Sequence, residues 1–138
     1  MKVLIDTNIV LDSVGNRKPF AEAAQEIFLL AAGKKINAAL TASTTSDIYY
    51  LTNRYYKNTD TTMEIMRKLF AIFDIVSVDK KNCIMACDTG MDDYEDSLLA
   101  VCAAKSKAAY IITRNEKDFV HSPVKPISPD AFLDKYFR

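Results

Sequence analysis

The chain contains 138 residues, of which 49% are hydrophobic, so length and composition fit one folded domain, residues 1–138, with an ordinary core. Lysine plus arginine and aspartate plus glutamate each number 18, which gives a formal net charge of zero. A nucleic-acid partner must therefore bind through a local basic patch and not through the field of the whole molecule. An acid at position 6 argues against a signal peptide, no apolar run predicts a membrane span, and three cysteines without paired spacing suit a reducing cytoplasm.

The first half of the chain begins with a short apolar strand that leads into a polar turn. The turn contains Asp6, Thr7 and Asn8. Hydrophobic periodicity then predicts a helix that Gly33 ends. In chain order the predicted elements are a strand at residues 2–5, a helix at 19–35, a strand at 36–42, and helices at 43–56 and 59–73. Thr59 or Asp60 is expected to cap the last of these helices.

The second half continues the alternation of strands and helices. In chain order it predicts a strand at residues 75–78, helices at 81–87 and 94–107, strands at 109–113 and 124–128, and a helix at 128–137. Ser128 and Pro129 provide the N-cap and first position of the last helix. Alternating strands and helices predict an α/β fold with three layers, α/β/α, around a central, mostly parallel sheet of four to five strands.

Acidic and amide side chains recur just past the predicted strand ends or at helix starts. They are Asp6, Asp47, Asp93, Asp96, Asn115 and Asp118. Sites in open parallel sheets form outside the carboxyl ends of the strands, so these side chains are expected to converge. Glu95 is turned about 100° from Asp96 on the helix and is expected to face solvent.

Each acid alone has a plainer explanation as a helix cap. Asp6 and Asp93 each precede a helix, and the segment TTSD that ends at Asp47 resembles a capping box. Together the acids suggest a cluster of carboxylates, because the small residues Ala100 and Ala103 would let the helix of Asp96 approach the sheet and Asp6. Two carboxylates about 5 Å apart repel by roughly 3 kcal/mol at an effective dielectric near 20. A bound cation relieves such repulsion, and oxygen ligands favour Mg²⁺ or Mn²⁺.

Three segments together resemble the PIN domain family of nucleases, which includes VapC-type bacterial toxins. They are VLIDTNIVLD near the start, SDIYYL around Asp47, and DYEDSLLAVCAAKSKAAYIITRNEKDF in the C-terminal half. The last segment is the most specific, and its DYED and TRN motifs resemble a subgroup of the family.

The resemblance implies a metal-dependent endoribonuclease with one or two Mg²⁺ or Mn²⁺ ions that activate water for hydrolysis of RNA. Asp6, Asp47 and Asp96 match the first three family acids, and Asn115 stands where many members have a fourth acid. Asp93 or Asp118 would compensate for the charge that Asn115 lacks. Asn8 and Thr113 match polar residues that orient ligands or water, and Arg114 and Lys117 flank the site as candidates to bind RNA phosphates. Asp47 replaces the commoner glutamate, which shortens its reach.

The resemblance also implies partners. Toxin members are inhibited by a small antitoxin protein, and homodimers are common in the family. Four tyrosines, Tyr49, Tyr50, Tyr55 and Tyr56, favour core packing or a subunit interface over base stacking.

Three other functions remain open on the sequence alone. A PIN-like module would bind RNA or protein without cutting it, and the amide at Asn115 favours this slightly. A receiver-like signalling domain would need a phosphorylated Asp and a Lys, for which Asp79 and Lys125 fit poorly. A metal-dependent phosphatase would use the same acids on phosphomonoesters.

Overall fold

Five short strands pair in parallel to form one sheet, in the order β3-β2-β1-β4-β5. The computed structural model describes residues 1–138. The strands are β1 (Lys2–Ile5), β2 (Asn37–Thr41), β3 (Asp74–Val76), β4 (Tyr110–Ile112) and β5 (Pro126–Ile127). Sequence order reverses on either side of β1, so the ends of β1 and β4 form the switch point of the sheet, where open α/β folds place their sites.

Seven helices connect the strands and cover both faces of the sheet. They are α1 (Thr7–Val14), α2 (Ala21–Ala32), α3 (Thr45–Tyr56), α4 (Thr59–Ile72), α5 (Lys80–Ala86), α6 (Tyr94–Lys105) and α7 (Pro129–Tyr136). Short 3₁₀ turns occupy Ala42–Thr44 and Glu116–Phe119.

Alternation along the strands divides the core into two layers. Val3 and Ile5 of β1 point to one face, where they pack with buried residues of α1, α2, α3, α4 and α7. Leu4 points to the other face and packs with α6 through Leu99, Ala100 and Ala103. Helix α5 packs on the outer side of α6. The predicted three-layer α/β/α fold with a parallel sheet is therefore confirmed, with five strands.

Most predicted elements occur within a few residues of their expected bounds. Gly33 and Ser128 end and begin their helices as predicted, and the Ser128 side chain accepts a hydrogen bond from the Ala131 amide at 3.1 Å. The largest omission is α1, which begins at Thr7, one residue after the first strand, where the sequence indicated only a turn.

Several capping predictions were wrong for identifiable reasons. Asn58, and not Thr59 or Asp60, caps α4, because its side chain accepts from the Thr61 amide at 3.0 Å. The Thr44 side chain makes no cap hydrogen bond; it bonds to the Thr41 carbonyl instead, so the segment ending at Asp47 is not a capping box.

No helix in the structure combines the length and the apolar character that crossing a membrane requires.

Candidate active site

Asp6 lies at the carboxyl end of β1 and is held by the neighbouring strand β4. Its backbone N–H donates to the Ile112 carbonyl at 3.0 Å, and its Oδ2 accepts a hydrogen bond from the Thr113 hydroxyl at 2.8 Å. The side chain makes no cap hydrogen bond to α1, so the capping explanation of Asp6 is wrong. Thr113 is fully buried and its Oγ also accepts from the Asn115 amide at 3.0 Å, which fixes the turn after β4.

The first turn of α6 carries Glu95 and Asp96 to the same edge of the sheet. Asp93 caps the helix, since its Oδ1 accepts from the Asp96 amide at 2.9 Å, so the capping explanation holds for this acid. Ala100 and Ala103 are fully buried against the sheet, as their size predicted. Close packing of α6 therefore brings its acidic start toward the end of β1.

Six carboxylates line a single cleft of about 380 Å³ at this edge. We call it the acidic cleft. Its lining residues are Asp6, Thr7, Asn8, Leu11, Asp47, Leu51, Asp93, Glu95, Asp96, Asn115 and Asp118. The structure thus brings together every acid and both amides that the sequence assigned to the site. Glu95 is exposed to solvent, as predicted, and from the first turn of α6 it also lines the cleft, which the sequence did not indicate.

Crowding and burial change the ionisation of three of these acids. Burial, and then the charges of Asp93 and Asp6, raise the pKa of Asp96 to about 7. Partial burial, and then repulsion from Asp47, raise the pKa of Glu95. Burial also raises the pKa of Asp6, although the hydrogen bond from Thr113 and the charge of Arg114 act in the opposite direction. The cleft therefore favours binding of protons or of cations.

The donor set of the acidic cleft fits a hard divalent cation. It offers carboxylate and amide oxygens, and the chain's one histidine and three cysteines lie outside its lining. Oxygen ligands of this kind suit Mg²⁺ and Mn²⁺. In the present conformation, however, no group of three or more acidic, histidine or cysteine side chains is arranged to hold an ion. The chemical type of the donors thus agrees with the predicted metal, but the side chains are not close enough together to coordinate one ion.

The two basic residues expected to contact RNA have different surroundings. Arg114 lies outside the cleft lining and donates through Nε and Nη2 to Asp12, at 2.7 and 3.2 Å. Lys117 is exposed and lines an adjoining cavity of about 230 Å³ that shares Asp93, Asp96 and Asp118 with the acidic cleft. Lys117 is therefore free to bind an anion beside the acids. Asp12, which the sequence reasoning overlooked, is buried next to the site.

A larger cavity, of about 840 Å³, lies elsewhere, between α5, α6 and the loop that contains His121. Its charges balance, with Asp79 and Asp88 against Lys81 and Lys105. The Lys105 ammonium already donates to the Ser77 carbonyl at 3.0 Å and to other groups. Size alone therefore does not make this cavity the catalytic centre.

Comparison with known proteins identifies the fold around the acidic cleft. A family model described as PIN domain matches residues 2–117. The chain belongs to the PIN domain family. PIN domains are typically nucleases, so membership supports a hydrolase in general terms. The subgroup predicted from the DYED and TRN motifs remains a prediction.

Solved structures with the same fold include toxin–antitoxin complexes. A toxin–antitoxin complex from Klebsiella pneumoniae contains a chain 19% identical to this PIN domain, with a TM-score of 0.68 and coverage of 92% of this chain and 97% of the other. VapBC2 from Rickettsia felis, bound to a DNA fragment from its promoter, contains a chain that is 17% identical, with a TM-score of 0.70 and coverage of 93% of this chain and 98% of the other. DNA-bound VapBC from Salmonella typhimurium contains a chain that is 16% identical, with a TM-score of 0.70 and coverage of 94% of this chain and 98% of the other. At these identities the likeness shows the fold alone, and no curated protein matches the sequence significantly.

Proposed function

We propose that this PIN domain is a metal-dependent endoribonuclease that hydrolyses RNA phosphodiester bonds. The observation that supports the proposal best is the acidic cleft, where six carboxylates from separate parts of the chain meet at the switch point of the sheet. Raised pKa values at Asp6, Glu95 and Asp96 are a feature of sites that bind cations or transfer protons.

The cleft residues divide into three roles. Asp6, Asp47 and Asp96 would hold Mg²⁺ or Mn²⁺, with Asp93 and Asp118 as further acids beside them. A bound ion of this kind would supply Lewis-acid activation of the phosphodiester and of a water molecule. Asn115 offers an amide donor and acceptor at the position where many family members have an acid. Thr113, which donates to Asp6 at 2.8 Å, would fix the orientation of that carboxylate, and Asn8 in the cleft lining would orient a ligand or a water molecule.

Two cations beside the cleft are suited to the RNA backbone. Lys117 is an exposed ammonium at the edge of the acidic cleft. Arg114 uses one N–H of Nε and one of Nη2 on Asp12, so both N–H groups of Nη1 and the second one of Nη2 are left to donate to phosphate oxygens. These contacts would balance part of the negative charge that RNA brings to an acidic site.

Cleavage of a mixed RNA pool during titration with Mg²⁺ or Mn²⁺ tests the proposal directly. Asp6→Asn and Asp96→Asn each remove one carboxylate while keeping its shape, and each should abolish metal-dependent cleavage. Asp60→Asn is the matched control, because Asp60 is an exposed acid in the first turn of α4, away from the cleft. Absence of cleavage with either ion, or full activity of both cleft variants, would contradict the proposal.

We further propose that the nuclease is the toxin of a toxin–antitoxin pair, acts in the cytoplasm and forms a homodimer. The support is the similarity to chains of toxin–antitoxin complexes, together with exposed apolar surface on α3, where Tyr50 and Tyr55 are 66% and 62% exposed. Expression of the wild type should arrest growth, while Asp6→Asn should not. Light scattering after gel filtration measures the oligomer, and a monomeric mass at micromolar concentration would reject the homodimer.

Two observations favour a second function, a PIN-like module that binds RNA or protein without cutting it. No three acids of the cleft are arranged to hold an ion in this conformation, and Asn115 lacks the charge of the family's fourth acid. RNA binding without turnover at saturating Mn²⁺ would establish this alternative. Asn115→Asp separates the two functions further, since it should increase cleavage only if the site is a working nuclease.

A further inference from the structure

Asp12 is a buried carboxylate that the proposed reaction does not use. It lies on α1 and is 1% exposed. Its two oxygen atoms accept three hydrogen bonds from arginines: Arg17 Nε at 2.9 Å, Arg114 Nε at 2.7 Å and Arg114 Nη2 at 3.2 Å. A charge is buried in a protein only where it is paired, and this one is paired twice.

The first partner, Arg114, is fixed on two sides. Asp12 binds the edge formed by Nε and Nη2, and the guanidinium lies 4.0 Å from the centre of the Phe20 ring. Arg114 directly follows Thr113, the residue that donates to Asp6. The Arg114 side chain is 24% exposed, so it is accessible to solvent, and the next residue, Asn115, lines the acidic cleft. Asp12 therefore fixes the place of this cation and leaves the N–H groups on the opposite edge, at Nη1 and one at Nη2, free to donate.

The second partner, Arg17, connects Asp12 with the cleft lining. Arg17 Nη2 lies 3.4 Å from the side-chain oxygen of Asn8 and 3.5 Å from its carbonyl oxygen. Asn8 is one of the two amides in the acidic cleft. Asp12 is thus linked to two segments of the site. Arg114 connects it to the turn after β4, and Arg17 connects it to Asn8 in the first turn of α1.

We propose that Asp12 is a positioning residue of the active site, which orients Arg114 toward an RNA phosphate and, through Arg17, orients Asn8. The inference rests on the proposed ribonuclease function. Stability alone is a weak reason for this arrangement, since apolar residues of similar volume often replace buried ion pairs without loss. A fixed cation beside the cleft has a direct use, because RNA brings a phosphate to that place.

The central variant is Asp12→Asn, which preserves shape and removes the charge that holds both arginines. Two readouts apply to the folded variant. In ¹⁵N-labelled protein, the Arg114 Nε–H resonance should move toward that of a free arginine, and the Asn8 side-chain amide should shift. With RNA as substrate, KM should rise about tenfold while kcat changes little, because a phosphate contact made in both ground and transition states affects binding uniformly.

A double-mutant cycle separates positioning from simple loss of packing. If Asp12 acts through Arg114, Asp12→Asn combined with Arg114→Gln should raise KM no more than Arg114→Gln alone. Asp134→Asn is the control, because it removes one carboxylate from a different arginine cluster, at Arg138, far from the cleft lining.

If Asp12→Asn fails to fold, Arg114→Lys tests the same contact from its more exposed side. This variant should also raise KM about tenfold, because lysine lacks the planar pair of N–H donors that binds Asp12.

The outcomes separate this inference from the proposed function. RNA affinity is measured in the non-cleaving Asp96→Asn background, so it is independent of turnover. Weaker RNA binding caused by Asp12→Asn supports the inference even if the wild type cuts no RNA, in which case only the nuclease proposal fails. A folded Asp12→Asn protein with unchanged KM and an unmoved Arg114 resonance overturns the inference, as does additive behaviour in the cycle. Absence of RNA binding in both backgrounds overturns it as well.

Discussion

Thr113→Val is the substitution that most directly tests how the fold supports Asp6. Thr113 is fully buried, donates to Asp6 Oδ2 at 2.8 Å and accepts from the Asn115 amide at 3.0 Å. Valine has nearly the same shape and lacks the hydroxyl. The substitution therefore removes two hydrogen bonds without creating a large cavity.

The expected cost follows from the nature of the two bonds. A hydrogen bond to an ionised carboxylate contributes about 1.5–3 kcal/mol to stability, and the half-buried Asn115 amide regains part of its bond from water. At pH 8 the metal-free variant should therefore lose about 2–3 kcal/mol, equivalent to a fall in Tm of about 5–9 °C. The bond from Thr113 lowers the pKa of Asp6. Its loss raises that pKa further, so the deficit should shrink as the pH falls and Asp6 takes up a proton.

Urea unfolding at pH 8 and pH 5 in the presence of EDTA measures both effects. Thr44→Val is the matched control, because Thr44 is also buried and donates to a neutral acceptor, the Thr41 carbonyl, at 3.0 Å. The control should lose about 1 kcal/mol at both pH values. Equal losses for Thr113→Val at the two pH values would refute the idea that its hydroxyl supports a carboxylate.

Three further substitutions or conditions test the surroundings of Asp6. Ala100→Leu should destabilise the protein by about 1–3 kcal/mol in urea unfolding and lower RNA cleavage, because the larger side chain pushes α6 away from Leu4 and the sheet. Asp93→Ala should cost about 1 kcal/mol through the lost N-cap, measured in the same way, whereas Asp93→Asn keeps the acceptor and should cost less. The metal-free protein should lose stability as the pH rises from about 4 to about 7, because the pKa of Asp96 is raised from an ordinary 3.8 to about 7 and the fold disfavours its ionisation. Urea unfolding across that range measures this loss, which Mg²⁺ or Asp96→Asn should reduce.

The convergence of the acids was predictable because it depends on simple rules of chain geometry. Strands β1 and β4 are short and apolar, the polar residues Asp6 and Thr113 come directly after them, and the carboxyl ends of parallel strands share one edge. Small residues at the core-facing positions of α6 indicated its close approach to the sheet. These features are local in sequence, and the resulting site depends on little else.

The features that the sequence did not reveal depend on rotations and on long-range pairing. Glu95 lines the cleft because of how α6 is rotated about its axis, and spacing along a helix does not fix that rotation. Asp12 pairs with Arg114, 102 positions away, and no local pattern marks such a partner. Helix α1 was missed because only one residue, Asp6, separates the strand from the start of the helix at Thr7.

The two central acids of the cleft, Asp6 and Asp96, differ in the groups that surround their carboxylates. Asp6 has a hydrogen bond from Thr113 and the nearby charge of Arg114, both of which favour its ionised form. The carboxyl group of Asp96 has no comparable support, since burial and the charges of its four acidic neighbours all raise its pKa. The fold therefore supplies counter-charge on the Asp6 side through Arg114, which Asp12 holds in place, and supplies none on the Asp96 side. A divalent cation bound between them would complete that balance, which makes Asp96 the acid whose ionisation depends most on the ion.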